Sequence, residues 1–212
     1  MTTILGAHGA DLLVLEKDLE LARLLRQKPD PPEIIVGDAL QFDWSRLRQN
    51  EALKIIGNLP YNIASPLIWN LVSALEHYAR MVFCVQREVA RRICSKPGSR
   101  EYGALSVWVQ SFARVHPALS IGRNVFSPRP KVDSAVIILT PLDEHQKVQD
   151  TEKLRHILRI CFQKRRKQLS TILKPYWHPD VEDWLHEQGL QARSRPENLS
   201  PQQFQEISSI LF

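Results

Sequence analysis

Ile55-Ile56-Gly57-Asn58-Leu59-Pro60-Tyr61-Asn62-Ile63-Ala64-Ser65-Pro66 is the stretch whose reading decides the fold. An apolar run stops abruptly at Asn58, and a helix is predicted soon after. Ser65 is its expected N-cap, Pro66 stands in its first turn, and Leu67 to Leu75 continue it. A buried parallel strand that carries polar groups to the carboxyl edge of an open α/β sheet has this pattern, and ligands bind at that edge. Asn58 offers an amide oxygen and Leu59 a backbone carbonyl; together they can accept both hydrogens of an exocyclic amine. Pro60 fixes its own φ and holds Leu59 extended. Tyr61 adds a flat ring on which a nucleobase can stack. The competing reading is a plain strand-to-helix turn, for which Asn and Pro are ordinary residues.

Two further apolar runs lie upstream. Leu12 to Leu15 is predicted as a buried strand ending at Glu16, and Glu33 to Val36 as another, followed by Gly37-Asp38. Glu16, Asp38 and Asn58 thus close successive strands, and three polar residues at one edge describe a cofactor site. An acid such as Glu16 at a strand end takes ribose hydroxyls in nucleotide-binding sheets. Asp38 could accept from an adenine amine. Acids there also complement helix N-termini, the duty that suits Asp18. Residues 1–8 resemble the tail of a helix stopped by Gly9, and a second helix, Leu19 to Leu25, ends before Pro29, Pro31 and Pro32.

Downstream, Met81 to Val85 is predicted as a strand. Arg87, Arg91 and Arg92 follow it in a run that is either a solvated helix face or an RNA-facing surface. Tyr102 to Phe112 is helical by spacing. Val115 to Ile121 and Val132 to Leu139 resemble two antiparallel strands closing the sheet. The loop between them, Val125-Phe126-Ser127-Pro128-Arg129-Pro130-Lys131, is stiffened by its prolines. Phe126 could sandwich a flipped base against Tyr61, or tuck into the core.

From Asp143 the composition turns polar, which places a domain boundary between 142 and 143. The remainder is helical. Thr151 to Leu173 is amphipathic, with Leu154, Ile157, Leu158 and Cys161 on one face. Arg155, Arg159, Lys164, Arg165, Arg166, Lys167 and Lys174 meet no acid between 155 and 174, a density of one sign that suits phosphates. Val181 to Glu187 is a short helix ended by Gly189, and Ser200-Pro201-Gln202-Gln203 opens a last helix as a capping box.

At 212 residues the chain holds one α/β domain and a small appendage, and its net charge of +5 favours a polyanionic partner. Cys84, Cys94 and Cys161 form no CxxC pair, so free thiols in a reducing cytosol are expected. The histidines lack ligand spacing, so no metal is expected. No stretch is long and apolar enough for a bilayer, and the N-terminus lacks a signal-peptide pattern, so a cytoplasmic location is expected.

The order of these signals resembles the ribosomal small-subunit RNA adenine N6,N6-dimethyltransferases. The matching pieces are VLEKD (14–18), GDAL (37–40), NLPYNIASP (58–66), QREVARR (86–92), YGALS (102–106), VFSPRPKVDSAV (125–136), FQKRRKQL (162–169) and RPENLSPQQF (195–204). The basic FQKRRKQL stretch and the RPENLSPQQF end favour the small-subunit branch over the related large-subunit methylases. The resemblance implies an α/β fold: a Rossmann-like class I methyltransferase sheet over 1–142, and a small all-α rRNA-binding domain over 143–212. It implies S-adenosyl-L-methionine as methyl donor and no metal. Glu16 would bind the cofactor ribose, Asp38 and Ala39 its adenine, and Asn58 would lie between cofactor and target. Leu59, Pro60 and Tyr61 would clamp the target adenine with Phe126 as opposing stack. Arg87, Arg91, Arg92, Lys164, Arg165, Arg166 and Lys167 would meet RNA. The implied substrate is two adjacent adenosines near the 3′ end of 16S rRNA in an assembling small subunit, and the protein would act as a monomer. The family's first strand and glycine-rich GxGxG loop have no counterpart, so a shortened chain is expected, with a gap beside the Glu16 and Ile55 strands. A cofactor-free RNA-binding assembly factor is the alternative that this departure raises.

Overall fold

The structure, a computed structural model, describes residues 2–47, 53–75 and 77–212. The chain divides into two compact units, 1–47 and 48–212. The strands among the described residues make two sheets, one in each unit, and the division along the chain falls between the Glu16 strand and the Ile55 strand.

In the first unit, α1 (Thr2–Ala7) ends before Gly9, whose φ of 75° only glycine adopts freely. Strand β1 (Leu13–Glu16) pairs in parallel with β2 (Glu33–Val36), and α2 (Leu19–Arg26) crosses between them. Asp18 caps α2 by accepting from the amides of Glu20 (2.8 Å) and Leu21 (3.2 Å), as its place before an amphipathic run predicts. The expectation that β1 is a buried strand is corrected. Leu13 and Val36 are exposed, because a two-stranded sheet leaves more apolar side chain than one helix covers.

In the second unit, β3 (Leu53–Asn58), β4 (Tyr78–Gln86), β5 (Ala113–Ile121) and β6 (Ser134–Pro141) form a sheet in the order β3-β4-β6-β5. The β3–β4 pair is parallel and joined by α3 (Ala64–Ala74); the pairs involving β6 are antiparallel. Pro117 falls in the edge strand β5 beside a register shift, where its missing N–H interrupts no central ladder. Burial along β3 alternates, so Lys54, Ile56 and Asn58 are exposed rather than buried on both faces as the apolar run predicts.

Helices α4 (Arg87–Ile93) and α5 (Ala104–Phe112) pack on the sheet, and α3 packs on α5. Met81, Phe83 and Val85 of β4 and Ile137 and Leu139 of β6 are fully buried; each such side chain contributes about 1.5–3 kcal/mol. Trp108 on α5 stacks on Trp69 of α3 with ring centroids 4.2 Å apart, and its indole N–H donates to the Trp69 carbonyl (2.9 Å).

The expected 151–173 helix is broken. Helix α6 (Thr151–Gln163) stops before the basic run; a turn carries Lys164 to Lys167; and α7 (Leu169–Ile172) resumes. Adjacent like charges disfavour continuing the helix, and the chain instead turns so that the Leu169 amide donates to the Ser194 carbonyl (2.8 Å). Helices α8 (Pro179–Glu187) and α9 (Pro201–Leu211) complete the chain. Ser200 and Gln203 form the predicted capping box, with bonds of 3.1 and 2.9 Å. Helices α6 and α9 both pack against α5 as well as each other, so the C-terminal helices share a core with the sheet-bearing part.

Candidate active site

Helix α3 begins where the clamp residues end. The Pro60 carbonyl accepts from the amides of Ile63 and Ala64 (3.1 Å each), which starts the helix before Ser65. Ile63, not Ser65, is therefore the N-cap, and Pro66 stands in the first turn where no N–H is needed. The Leu59 amide donates to the Cys84 carbonyl (3.0 Å), extending the parallel ladder one residue past β3. This fixes the backbone of Leu59. Its carbonyl and the Asn58 side chain have no hydrogen-bond partner among the described residues, and Asn58 is exposed. Two acceptors without a partner among the described residues therefore stand on consecutive residues at the carboxyl end of a strand.

The half-buried Tyr61 is tethered through its hydroxyl to Ser134 Oγ (3.1 Å), at the start of β6, where Ser134 is buried. Burial pushes the Cys84 thiol up, with the Ser134 hydroxyl opposing that shift. Gly57 matters for a reason that sequence reasoning missed: a Cβ there would lie 2.7 Å from Leu59 Cδ2 and 3.4 Å from Phe83 Cδ1. The signal was available, since a lone glycine in a strand marks close approach.

Phe126 follows a 3-10 turn, Arg123–Val125, and is half-buried. Its loop is clasped by Asp133, which accepts from the Arg123 amide (3.2 Å) and from the Arg87 guanidinium (3.2 Å). The Asp133 carbonyl also accepts from the Arg87 amide (3.0 Å). The Arg123 amide foremost, then Arg87, holds the Asp133 carboxyl below its usual range. Asp133 thus holds the turn that precedes Phe126, and the adjacent Ser134 holds Tyr61. Neither was singled out from the sequence, because their partners lie far along the chain.

In the first unit, Glu16 ends β1 opposite Val36, which places Glu16 and Asp38 at one edge. Glu16 Oε1 accepts from the Asp18 amide (2.8 Å). Asp38 Oδ2 meets Lys17 Nζ (2.8 Å), and Oδ1 accepts from the Leu40 amide (2.9 Å). Lys17 first, then that amide, holds the Asp38 carboxyl low. The Ala39 amide has no partner among the described residues, while its carbonyl accepts from the Trp44 indole (3.1 Å). An ionised acceptor beside a free N–H matches the amine-and-ring-nitrogen edge of adenine. Asp38 and Ala39 offer the acceptor and the donor that the adenine edge of S-adenosylmethionine would need.

Of the expected RNA-facing residues, Arg91 and Arg92 are exposed on α4 and Arg87 is paired with Asp133. Lys164, Arg166 and Lys167 are exposed on the turn after α6, not on a helix. Arg165 differs: Nε donates to Glu197 Oε2 (2.9 Å) and an Nη donates to the Arg100 carbonyl (2.6 Å). The sequence shows no acid near it because its partner lies 32 positions away.

Among known families, the ribosomal RNA adenine dimethylase model matches residues 1–212. The chain belongs to the ribosomal RNA adenine dimethylase family. It is similar to ribosomal RNA small subunit methyltransferase A of Oleidesulfovibrio alaskensis, with 47% identity over 97% of this chain and 74% of the relative. The corresponding protein of Lawsonia intracellularis is 40% identical over 97% of this chain and 76% of its own length. The fold is that of a Plasmodium falciparum dimethyladenosine transferase, with TM-score 0.70, 24% identity, and coverage of 91% of this chain and 78% of that one. The 23S rRNA methyltransferase ErmE is also similar in fold, with TM-score 0.67, 23% identity, and coverage of 94% and 81%. As a member of the dimethylase family the chain is a methyltransferase of rRNA, with S-adenosylmethionine as methyl donor. Among the described residues no helix is long and apolar enough to cross a membrane.

Proposed function

We propose that this family member dimethylates two adjacent adenosines at N6 near the 3′ end of 16S rRNA, acting as a cytoplasmic monomer on the assembling small subunit. The observation that carries the reading is the pair of acceptors free of partners among the described residues, the Asn58 side chain and the Leu59 carbonyl, next to the tethered Tyr61. The N6 amine is a poor nucleophile because its lone pair is delocalised into the ring. Accepting its two hydrogens at Asn58 and Leu59 favours a pyramidal nitrogen for the first transfer; the one N–H that remains can be held by either acceptor for the second, and the proton displaced each time passes to water. Tyr61 holds the flipped base by stacking, Phe126 is the opposing wall, and Pro60 keeps the Leu59 carbonyl aimed. S-adenosylmethionine, when bound, would supply a sulfonium methyl whose S–C bond breaks as the N–C bond forms, leaving the neutral thioether S-adenosylhomocysteine. Glu16 is assigned to the donor's ribose and Asp38 with Ala39 to its adenine, while Asn58 is assigned to the target amine. Alignment of amine and methyl supplies the proximity term. Arg91 and Arg92, with Lys164, Arg166 and Lys167 on the turn after α6, are assigned to the RNA, Arg87 and Arg165 being held by Asp133 and Glu197, and residues 143–212 are assigned to a helical rRNA-binding domain.

The experiment is transfer of labelled methyl into immature small-subunit particles, with digestion to nucleosides. N6,N6-dimethyladenosine is the expected product, and Asn58→Ala should abolish it while particle binding holds. Absence of the dimethylated nucleoside with the unaltered chain overturns the assignment. Binding of S-adenosylmethionine by calorimetry separates it from a cofactor-free assembly factor.

A further inference from the structure

A second feature stands at the same sheet edge. A groove of about 560 Å³ runs between α4 and the 123–133 loop, lined by Arg87, Glu88, Arg91, Arg123, Lys131 and Asp133. Asp133 neutralises Arg87 at 3.2 Å, which leaves Arg91, Arg123 and Lys131 facing Glu88 as the remaining acid of the groove. Arg91 and Lys131 have no side-chain partner among the described residues. The Arg123 guanidinium donates to the Lys131 carbonyl (3.3 Å), and its amide is held by Asp133. These cations come from separate chain segments and are drawn to one concavity by the Asp133 clasp. Gathering like charges is unfavourable without a polyanion, and a groove is how a backbone of phosphates is tracked.

The groove adjoins the clamp. Gln86, at its wall, pairs with Ser134, and Ser134 holds the Tyr61 hydroxyl. We propose that Arg91, Arg123 and Lys131 form a phosphate-binding groove for the RNA strand flanking the target adenosine. The inference rests on the clamp assignment only for the identity of the neighbouring nucleotide. Its role differs from that of the Lys164–Lys167 turn: the groove sets the strand's register beside the clamp, whatever else binds the particle.

The test is fluorescence anisotropy of the 212-residue chain with short single-stranded RNAs, one containing paired adenosines and one with uridines in their place. Binding is followed from about 50 to about 200 mM salt. The double variant Arg91→Glu/Lys131→Glu, and its alanine counterpart, should weaken both RNAs about tenfold or more. The slope of log affinity against log salt should become shallower by about 1.4, the value for two phosphate contacts on a single strand. All these side chains are exposed, and circular dichroism of each variant checks that the fold is kept. An unchanged slope for both variants overturns the groove and returns it to a solvated surface. A missing preference for adenosine in the unaltered chain, with the slope change intact, instead overturns the clamp and leaves the groove standing.

Discussion

Tyr61 and Ser134, 73 positions apart, are joined by a 3.1 Å hydrogen bond between their hydroxyls, which ties the residue after the Asn-Leu-Pro turn to the first residue of β6. Because Ser134 is buried, this contact fixes the ring through the core rather than through solvent. Tyr61→Phe keeps the ring and loses one hydrogen bond, so it should lower stability by about 1 kcal/mol. It should also leave most methyl transfer intact. Tyr61→Ala removes the stacking surface, worth about 1–3 kcal/mol per base, and should lower transfer by about tenfold to a hundredfold. Chemical denaturation together with methyl-transfer rates separates the two variants. Equal loss of transfer in both would make the hydroxyl, not the ring, the functional part.

Gly57 leaves room for Leu59. Gly57→Ala brings a methyl to 2.7 Å from Leu59 Cδ2 with Phe83 behind it, so Leu59 must shift. The expected cost in stability is about 1–3 kcal/mol, with a larger fall in transfer because the Leu59 carbonyl moves. Adding Leu59→Ala relieves the clash, so the double variant should be more stable than the sum of the single changes predicts. Thermal melts of the three variants read this directly.

Arg165 and Arg166 are neighbours with different tasks. Arg165 bonds Glu197 and the Arg100 carbonyl, while Arg166 is exposed. Arg165→Ala should destabilise the fold by about 1 kcal/mol, a modest value because the pair is partly exposed and screened. Arg166→Ala should leave the melting temperature alone and flatten the salt dependence of particle binding by about one phosphate contact. Equal melting temperatures for the two variants would remove the structural role of Arg165.

Asp133 sets a pH dependence. Its carboxyl is held below the usual 3.8, so the clasp on Arg123 and Arg87 is fully made above that value. It is lost as pH falls through the lowered pKa. Asp133→Asn should therefore be less stable than the unaltered chain at neutral pH, and the gap should close as the solution is acidified below the carboxylate range. Melting temperatures across that range test it; a gap that persists in strong acid would exclude the charge as its source.

Much of the fold was legible because strand and helix periods are local. The strand Glu33–Val36, the Ser200–Gln203 capping box, the Gly9 and Gly189 ends and the Asp18 cap all follow from neighbouring residues. The errors have one local cause and one distant one. Ser65 lost the cap because the Pro60 carbonyl started the helix earlier. The basic run left the helix because like charges crowd there and Leu169 found the Ser194 carbonyl.

The sequence by itself determined which polar residues end the strands: Glu16, Asp38 and Asn58, with Leu59, Pro60 and Tyr61 following in one turn. Chain order and backbone propensity are enough for that. Only the tertiary structure decided what holds them. It revealed Ser134 on Tyr61, Asp133 on the Phe126 loop, Leu59 pressed beside Gly57, and Glu197 taking Arg165 out of the free charges. Apart from the local Gly57–Leu59 approach, those contacts join residues well separated along the chain, and neither periodicity nor composition encodes which of them meet on folding.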